Sequence, residues 1–312
     1  MNYGIPYMGS KSKIAKALIA ILPKGDRFVD LFGGGAAMSH CALLSGKYKQ
    51  VYYNDINPLL AHLLQDAIDG KYNYDVFKPE FITREKFVEL KDVDGYVKYI
   101  WSFGNNGSCY LFGRDIEKQK HLIHDAVVFD DISKRFIELF PNFNGFPNED
   151  IKSRRLFMKT LKEDLQLPQL ERLERLQQLQ RLEQLQRLER LQRLQRLQQL
   201  QRLPKIQFNT GSYEDYIYQD GDVVYCDIPY ENTAKYDKDG FDHKKFYDWA
   251  YSRDYNVFIS SYHISDDRFY HIYDEEKRSL LSSTKANVIK EERIYCNKDF
   301  NLEKFYRKQL ML

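Results

Sequence analysis

Short apolar runs alternate with segments of helical periodicity in the first 70 residues and again after residue 204 of this 312-residue chain. The apolar runs predict buried strands, and they cover residues 27–32, 50–55, 205–208, 223–226 and 257–261. Helices are predicted for residues 11–22, 36–44 and 59–68. Alternation of strands and helices is typical of a mostly parallel sheet with helices on both faces, so we expect an α/β fold. Residues 284–296 predict a final hairpin.

The alternation is lost between residues 72 and 204. Residues 72–166 are polar, aromatic and helical in character, whereas residues 167–203 carry a leucine at every third position, thirteen in all. The other residues of this repeat are mostly Gln, Arg and Glu, which favour a helix. Period three differs from the 3.6 residues of an α-helix and the 3.5 of a coiled coil. The leucines would therefore reach every face of one straight helix. An expandable surface repeat and an arginine-bearing spacer both remain open.

Composition and charge exclude several classes of protein. The net charge of +2 is too small to indicate a nucleic-acid partner by itself. The four cysteines are scattered with no C-x-x-C pair, so we expect neither disulfides nor a metal site. The N-terminus lacks a signal peptide, and no run reaches the ~18 apolar residues of a membrane span. These features predict a cytoplasmic protein without a membrane partner.

An acidic and aromatic tetrapeptide, Asp227-Ile228-Pro229-Tyr230, follows the apolar run 223–226. In an open α/β sheet, ligands bind where strands end. A carboxylate and nearby main-chain carbonyls can accept both protons of an exocyclic amine, and a Tyr ring can stack on the base that carries it. Pro and Asp are also ordinary turn residues, so a plain turn is the competing interpretation.

Three glycines follow the first predicted strand. Gly33, Gly34 and Gly35 precede a helix whose first residues are small, which allows a nucleotide-like ligand to approach the backbone. The spacing differs from G-x-G-x-x-G, so NAD is disfavoured. The second strand ends at Asp55, 20 residues after Gly35, where an acid meets ribose hydroxyls in such folds. A helix cap is the alternative role of Asp55.

The chain resembles the Dam-type DNA N6-adenine methyltransferases, especially those of phages and prophages. Four motifs carry the resemblance in the family's order, and segments 102–107 and 292–297 are also similar to phage members. The motifs are Pro6 to Lys11, Asp30 to Gly35, Asn54-Asp55 and Asp227 to Tyr230. The resemblance implies S-adenosylmethionine as cofactor, bound by Tyr7, Lys11, Asp30, Phe32, Gly33, Gly35 and Asp55. It also implies a catalytic motif formed by Asp227, Ile228, Pro229 and Tyr230, with no metal.

Two positions depart from the family's pattern. Ile228 replaces the first proline of the catalytic Asp-Pro-Pro-Tyr, which keeps the carbonyl but not the fixed φ of proline. Tyr7 stands where the enterobacterial enzymes have Trp, and either ring can stack on an adenine. Activity is therefore expected, with a less rigid catalytic motif.

The resemblance implies a site-specific methyltransferase that acts on an adenine flipped out of double-stranded DNA, with no obligate protein partner. It implies a Rossmann-like catalytic domain at residues 1–71 and 205–312, and an inserted, mainly helical target-recognition region at 72–166, followed by the leucine repeat. Related sites methylate cytosine N4 or a protein amide, and a decayed homologue would bind DNA without methylating it. The target sequence is not readable from the recognition region.

Overall fold

The computed structural model describes residues 3–73, 77–164, 206–231, 240–279 and 288–300. The chain divides into two compact units. The sheet unit comprises Met1–Ile5, Gly9–Ile68 and Arg196–Leu312, and the helical unit comprises Pro6–Met8 and Asp69–Gln195. The leucine repeat at 167–203 lies outside the described residues, so its helix stays a prediction.

A seven-stranded sheet forms the centre of the sheet unit, within the described residues. Its strands are β1 (Arg27–Asp30), β2 (Gln50–Asp55), β3 (Ile206–Thr210), β4 (Asp222–Asp227), β5 (Val257–Ser261), β6 (Tyr270–Ser279) and β7 (Val288–Cys296). The strand order is β3-β2-β1-β4-β5-β7-β6. The first five strands of this order are parallel, and β7 is antiparallel to both β5 and β6.

Helices of the described ranges fall in both units. They are α1 (Ala15–Ile21), α2 (Ala37–Ser45), α3 (Pro58–Ile68), α4 (Arg84–Leu90), α5 (Gly95–Ile100), α6 (Glu117–Phe129), α7 (Lys134–Leu139), α8 (Ile151–Asp164) and α9 (His243–Tyr251). Helices α1 to α3 and α9 belong to the sheet unit. None of the helices in the ranges given above is long and apolar enough to cross a membrane.

The core of the sheet unit explains why its central strands are apolar throughout. Val224 and Cys226 pack with Phe246 and Ala250 of α9, whereas Val223 and Tyr225 alternate with them and are also buried. Successive side chains of a strand point to opposite faces, so burial of all four requires cover on both faces. The result is an α/β arrangement in which helices flank a mixed sheet of parallel and antiparallel strands, consistent with the Rossmann-like sheet that the sequence predicts.

The helical unit has its own apolar centre. Phe136 of α7 is fully buried and packs with Phe143, with Ala126 of α6 and with Met158 of α8. Side chains cap four of its helices, at Thr83, Asp94, Ser133 and Asp150. The target-recognition role predicted for residues 72–166 stays a prediction.

The final hairpin differs from its prediction. A hairpin confined to residues 284–296 is wrong, because β7 pairs instead with β6, which begins at Tyr270. Strand β6 lies at the sheet edge and contains the polar run Asp274 to Arg278. Edge strands tolerate charged side chains, and this run conceals the alternation by which a strand is recognised.

Candidate active site

Three predicted acids lie at one edge of the sheet, the edge formed by the carboxyl ends of its parallel strands, because their strands are neighbours. Asp30, Asp55 and Asp227 are the last residues of β1, β2 and β4. Strand β1 lies between β2 and β4, with Asp30 in register with Tyr53 and Tyr225. On the next strand, Asp227 is in register with Ser260 of β5. This edge is where ligands bind in open α/β sheets.

Lys11 joins the N-terminal motif to the tetrapeptide. Its Nζ donates to Asp227 Oδ1 and to the Tyr230 hydroxyl, both at 2.5 Å. Lys11 is 2% exposed, whereas the Asp227 side chain is 22% exposed. Burial by itself lowers the pKa of Lys11, but the Asp227 and Glu292 carboxylates outweigh it and raise that pKa above its ordinary value. Lys11 is therefore a buried ammonium whose charge depends on these two acids.

Glu292 of β7 completes this cluster and is fully buried. Its Oε1 accepts hydrogen bonds from the Tyr230 hydroxyl at 2.7 Å and from Ser260 Oγ at 2.6 Å. The same oxygen lies 3.7 Å from Lys11 Nζ. We define the charged cluster as Lys11, Asp227, Tyr230, Ser260 and Glu292.

Glu292 and Ser260 are not among the site residues that the sequence predicts. A local pattern was present for Glu292, because it shares one face of β7 with the buried Ile294 and Cys296. An acid on the apolar face of a strand is rare unless it is paired. Its partners come from other strands, and the sequence does not name them.

The tetrapeptide is fixed from several sides. Ile228 is 2% exposed and belongs to the apolar core beside α9. The Pro229 carbonyl accepts a hydrogen bond from His243 Nε2 at 2.7 Å. The ring of Tyr230 lies 4.3 Å from the ring of Tyr262, centroid to centroid. Burial, followed by the charges of Asp227 and Glu292, holds the pKa of Tyr230 well above its ordinary value.

A hydrogen bond joins Asp55 to the turn formed by Gly33, Gly34 and Gly35, which we call the glycine turn. Asp55 Oδ2 accepts from the Gly34 main-chain N–H at 2.8 Å, and Oδ1 accepts from that of Asn57 at 2.9 Å. A side chain at Gly33 would place its Cβ 2.2 Å from the Tyr53 ring, so this position needs glycine. Gly34 has a φ of 47°, in the left-handed region. Burial raises the pKa of Asp55, and the two main-chain hydrogen bonds oppose that rise.

Asp30 and Phe32 have internal partners. Asp30 is buried, and its Oδ2 accepts from Ser39 Oγ at 2.6 Å and from Ser39 N at 3.2 Å, which anchors the first turn of α2. Burial raises the pKa of Asp30 to about 7. Phe32 stacks on Tyr213 with ring centroids 5.5 Å apart. Their predicted cofactor contacts stay predictions.

Tyr7 belongs to the helical unit, unlike the other predicted site residues. Its ring packs edge-on against Tyr99 of α5 with centroids 5.5 Å apart. The sheet unit thus holds Lys11, the glycine turn, Asp55 and the tetrapeptide, and the predicted role of Tyr7 in cofactor stacking stays a prediction.

Comparison with known proteins gives one family match. Residues 7–160 match the model of the D12 class N6 adenine-specific DNA methyltransferases. The match confirms the resemblance inferred from the motifs, and it includes Lys11, the glycine turn and Asp55. The tetrapeptide and Glu292 lie beyond the matched range. No curated protein matches the chain.

Proposed function

We propose that this chain, a relative of the D12 class N6 adenine-specific DNA methyltransferases, transfers a methyl group from S-adenosylmethionine to the N6 amine of an adenine in double-stranded DNA. The observation that carries the proposal is the pairing of Lys11, inside the matched range, with Asp227 of the tetrapeptide beyond it. This contact links the cofactor half of the sequence to a carboxylate suited to an amine substrate.

The residues at the edge of the sheet fit the cofactor. Each oxygen of Asp55 accepts one main-chain hydrogen bond and keeps a second lone pair, so the carboxylate can also accept from ribose hydroxyls. Gly33, Gly34 and Gly35 present backbone without side chains next to the start of α2. When bound, S-adenosylmethionine supplies the sulfonium methyl group that is transferred. Lys11, Tyr7, Phe32 and Asp30 complete the proposed binding set.

The tetrapeptide orients the amine. The lone pair of adenine N6 is delocalised into the ring, which makes the amine a poor nucleophile. Hydrogen bonds from its protons to the Asp227 carboxylate and the Ile228 carbonyl favour a more tetrahedral nitrogen with a directed lone pair. Alignment of this kind lowers the barrier. As the bond from N6 to the methyl carbon forms, the bond from that carbon to the cofactor sulfur would break to leave a neutral thioether, and the surplus N6 proton would pass to the Asp227 carboxylate that accepts it. The rings of Tyr230 and Tyr262 offer apolar faces for the base.

The adenine has to leave the duplex to reach this edge. Extrusion of a base costs a few kcal/mol, and stacking on an aromatic side chain offsets part of that cost. Residues 72–166 are the proposed source of target recognition, because they lie between the cofactor motifs and the tetrapeptide in the sequence.

The experiment is nucleoside mass spectrometry of unmethylated duplex DNA after incubation with the protein and S-adenosylmethionine. We expect N6-methyladenine from the wild type and from a control variant, Asp267→Asn, whose side chain is in an exposed loop. Asp227→Asn is expected to lose most of the activity, because the loss falls on the transition state. N4-methylcytosine as the product, or no methylated nucleoside at all, would refute the proposal.

A further inference from the structure

Burial of the Glu292 carboxylate costs free energy that strand β7 by itself does not offset. Transfer of a carboxylate out of water is costly unless charge and hydrogen bonds compensate for it. Glu292 is fully buried, and its Oε1 collects hydrogen bonds from Tyr230 and Ser260 beside the Lys11 ammonium. An apolar residue at this position would extend the buried face formed by Ile294 and Cys296 without that cost.

The charges of the cluster are unequal. One ammonium, Lys11, faces two carboxylates, Asp227 and Glu292. It contacts Asp227 at 2.5 Å and lies 3.7 Å from Glu292 Oε1, about 1 Å beyond a charge-assisted hydrogen bond. Lysine has a flexible four-carbon stem and three donors that can be redirected. A small rotation of this side chain therefore moves its ammonium from one carboxylate to the other.

Under the proposed function, two hydrogen-bond donors compete for the Asp227 carboxylate. It accepts from Lys11 in this structure, and it has to accept a proton of the substrate amine during the reaction. An ammonium held at Asp227 weakens the carboxylate as an acceptor for a second donor. A nearby carboxylate that receives Lys11 keeps the ammonium paired while Asp227 turns to the substrate.

We propose that Glu292 is a positioning residue that takes Lys11 from Asp227 when Asp227 accepts the adenine amine. The inference rests on the proposed function, and Glu292 itself does not touch the substrate. Tyr230 moves with this exchange because its hydroxyl lies between the two groups, accepting from Lys11 and donating to Glu292. The position of the Tyr230 ring is thereby tied to the position of the ammonium.

The test is a double-mutant cycle in which single-turnover methylation of duplex DNA is measured at saturating cofactor. Glu292→Gln keeps the shape of the side chain and removes its charge. We expect it to slow methyl transfer about 10- to 100-fold, the value of a hydrogen bond to a charged group. Cofactor affinity should stay at the wild-type value. Glu291→Gln is the matched control, because the same substitution falls on the exposed neighbour in β7.

The second arm asks whether Glu292 acts through Lys11. In a Lys11→Met background, Glu292→Gln should no longer slow methyl transfer, because no ammonium remains to be exchanged and the substitution removes a buried carboxylate that has lost its cation. The double variant also preserves the charge balance of the cluster, so it keeps the cycle measurable if Glu292→Gln by itself folds poorly. Equal effects of Glu292→Gln in both backgrounds, or a wild-type rate for Glu292→Gln, would overturn the inference.

The two proposals fail in different ways. A wild-type protein that forms no N6-methyladenine refutes the proposed function. A wild-type protein that forms it, together with an additive cycle, refutes only the exchange of Lys11 between Asp227 and Glu292.

Discussion

Helix α9 makes hydrogen bonds to the residues on either side of Tyr230 in the chain, Pro229 and Glu231. Removal of the Tyr247 hydroxyl tests how much these hydrogen bonds contribute to activity. The Pro229 carbonyl accepts from His243, and Glu231 Oε1 accepts from the Tyr247 hydroxyl at 2.5 Å. His243 and Tyr247 lie one turn apart in α9. Since Ile228 lacks the fixed φ of proline, we expect these contacts to supply the rigidity that the sequence leaves out.

Tyr247→Phe removes the hydroxyl and keeps the ring, which packs against Phe269 at 5.4 Å. A hydrogen bond to a carboxylate contributes about 1.5–3 kcal/mol. Glu231 also accepts from Ser265 Oγ at 3.0 Å and from Ser265 N at 3.3 Å, so we expect a loss near the lower value. This corresponds to about a tenfold slower single-turnover methylation if Tyr230 is displaced in proportion.

The pH dependence of the loss has a definite sign. Burial raises the pKa of Glu231, but the hydrogen bonds from Tyr247 and Ser265 outweigh it and lower that pKa below its ordinary value. A depressed carboxyl pKa stabilises the fold above the unfolded value of about 4.3 and ceases to do so as the pH falls below it. Urea unfolding of Tyr247→Phe should therefore show its deficit at neutral pH and lose it in acid.

The cycle with Ile228→Pro tests whether the Tyr247 hydroxyl acts through the rigidity of the tetrapeptide. Proline fixes φ, so Tyr247→Phe should cost less activity in the Ile228→Pro background than in the wild type. Ile228→Pro by itself should keep activity but lower stability, because its side chain is buried in the core. Tyr251→Phe, on the exposed side of α9, is the control and should have the wild-type rate. Equal rate losses in both backgrounds would show that the Tyr247 hydroxyl does not act through the rigidity of the tetrapeptide.

Three further predictions concern the carboxyl ends of β1 and β2. Asp55→Ala should weaken S-adenosylmethionine binding by about 1.5–3 kcal/mol, and wild-type affinity in calorimetry would remove Asp55 from the site. Gly33→Ala should destabilise the fold by about 1–3 kcal/mol, because its Cβ would lie 2.2 Å from the Tyr53 ring; an unchanged urea midpoint would contradict this packing. Asp30, whose pKa burial raises to about 7, binds a proton more tightly in the folded chain than in the unfolded one. Its contribution to stability should decline as the pH rises from about 3.9 towards 7, and Asp30→Asn should flatten that decline. The measurement is Tm as a function of pH, and the same dependence in Asp30→Asn and the wild type would exclude this role of Asp30.

Local patterns in the sequence were sufficient for the central strands and for the acids at their ends. The prediction of β2 at residues 50–55 and of β5 at 257–261 agrees with the structure to the residue. Buried strands are apolar on both faces, and this property is visible in a window of five or six residues. Parallel pairing then places Asp30, Asp55 and Asp227 at one edge without further information.

The glycine turn was also determined locally, although its reason was not. The sequence indicated a close approach of the backbone to a ligand. The structure shows in addition that Gly33 is needed by the Tyr53 ring and that Gly34 donates to Asp55. The ring and the carboxylate come from β2, so these requirements follow from the pairing of β1 with β2.

The charged cluster was decided by tertiary structure alone. Lys11 and Glu292 are far apart in the chain, and they meet because β7 enters the sheet antiparallel beside β5. No local pattern encodes that strand order, because hydrophobic periodicity specifies which face of a strand is buried but not which strands are neighbours. The sequence by itself determined the five parallel strands, the glycine turn and the position of the tetrapeptide after β4; the order of the strands decided which buried charges surround Asp227.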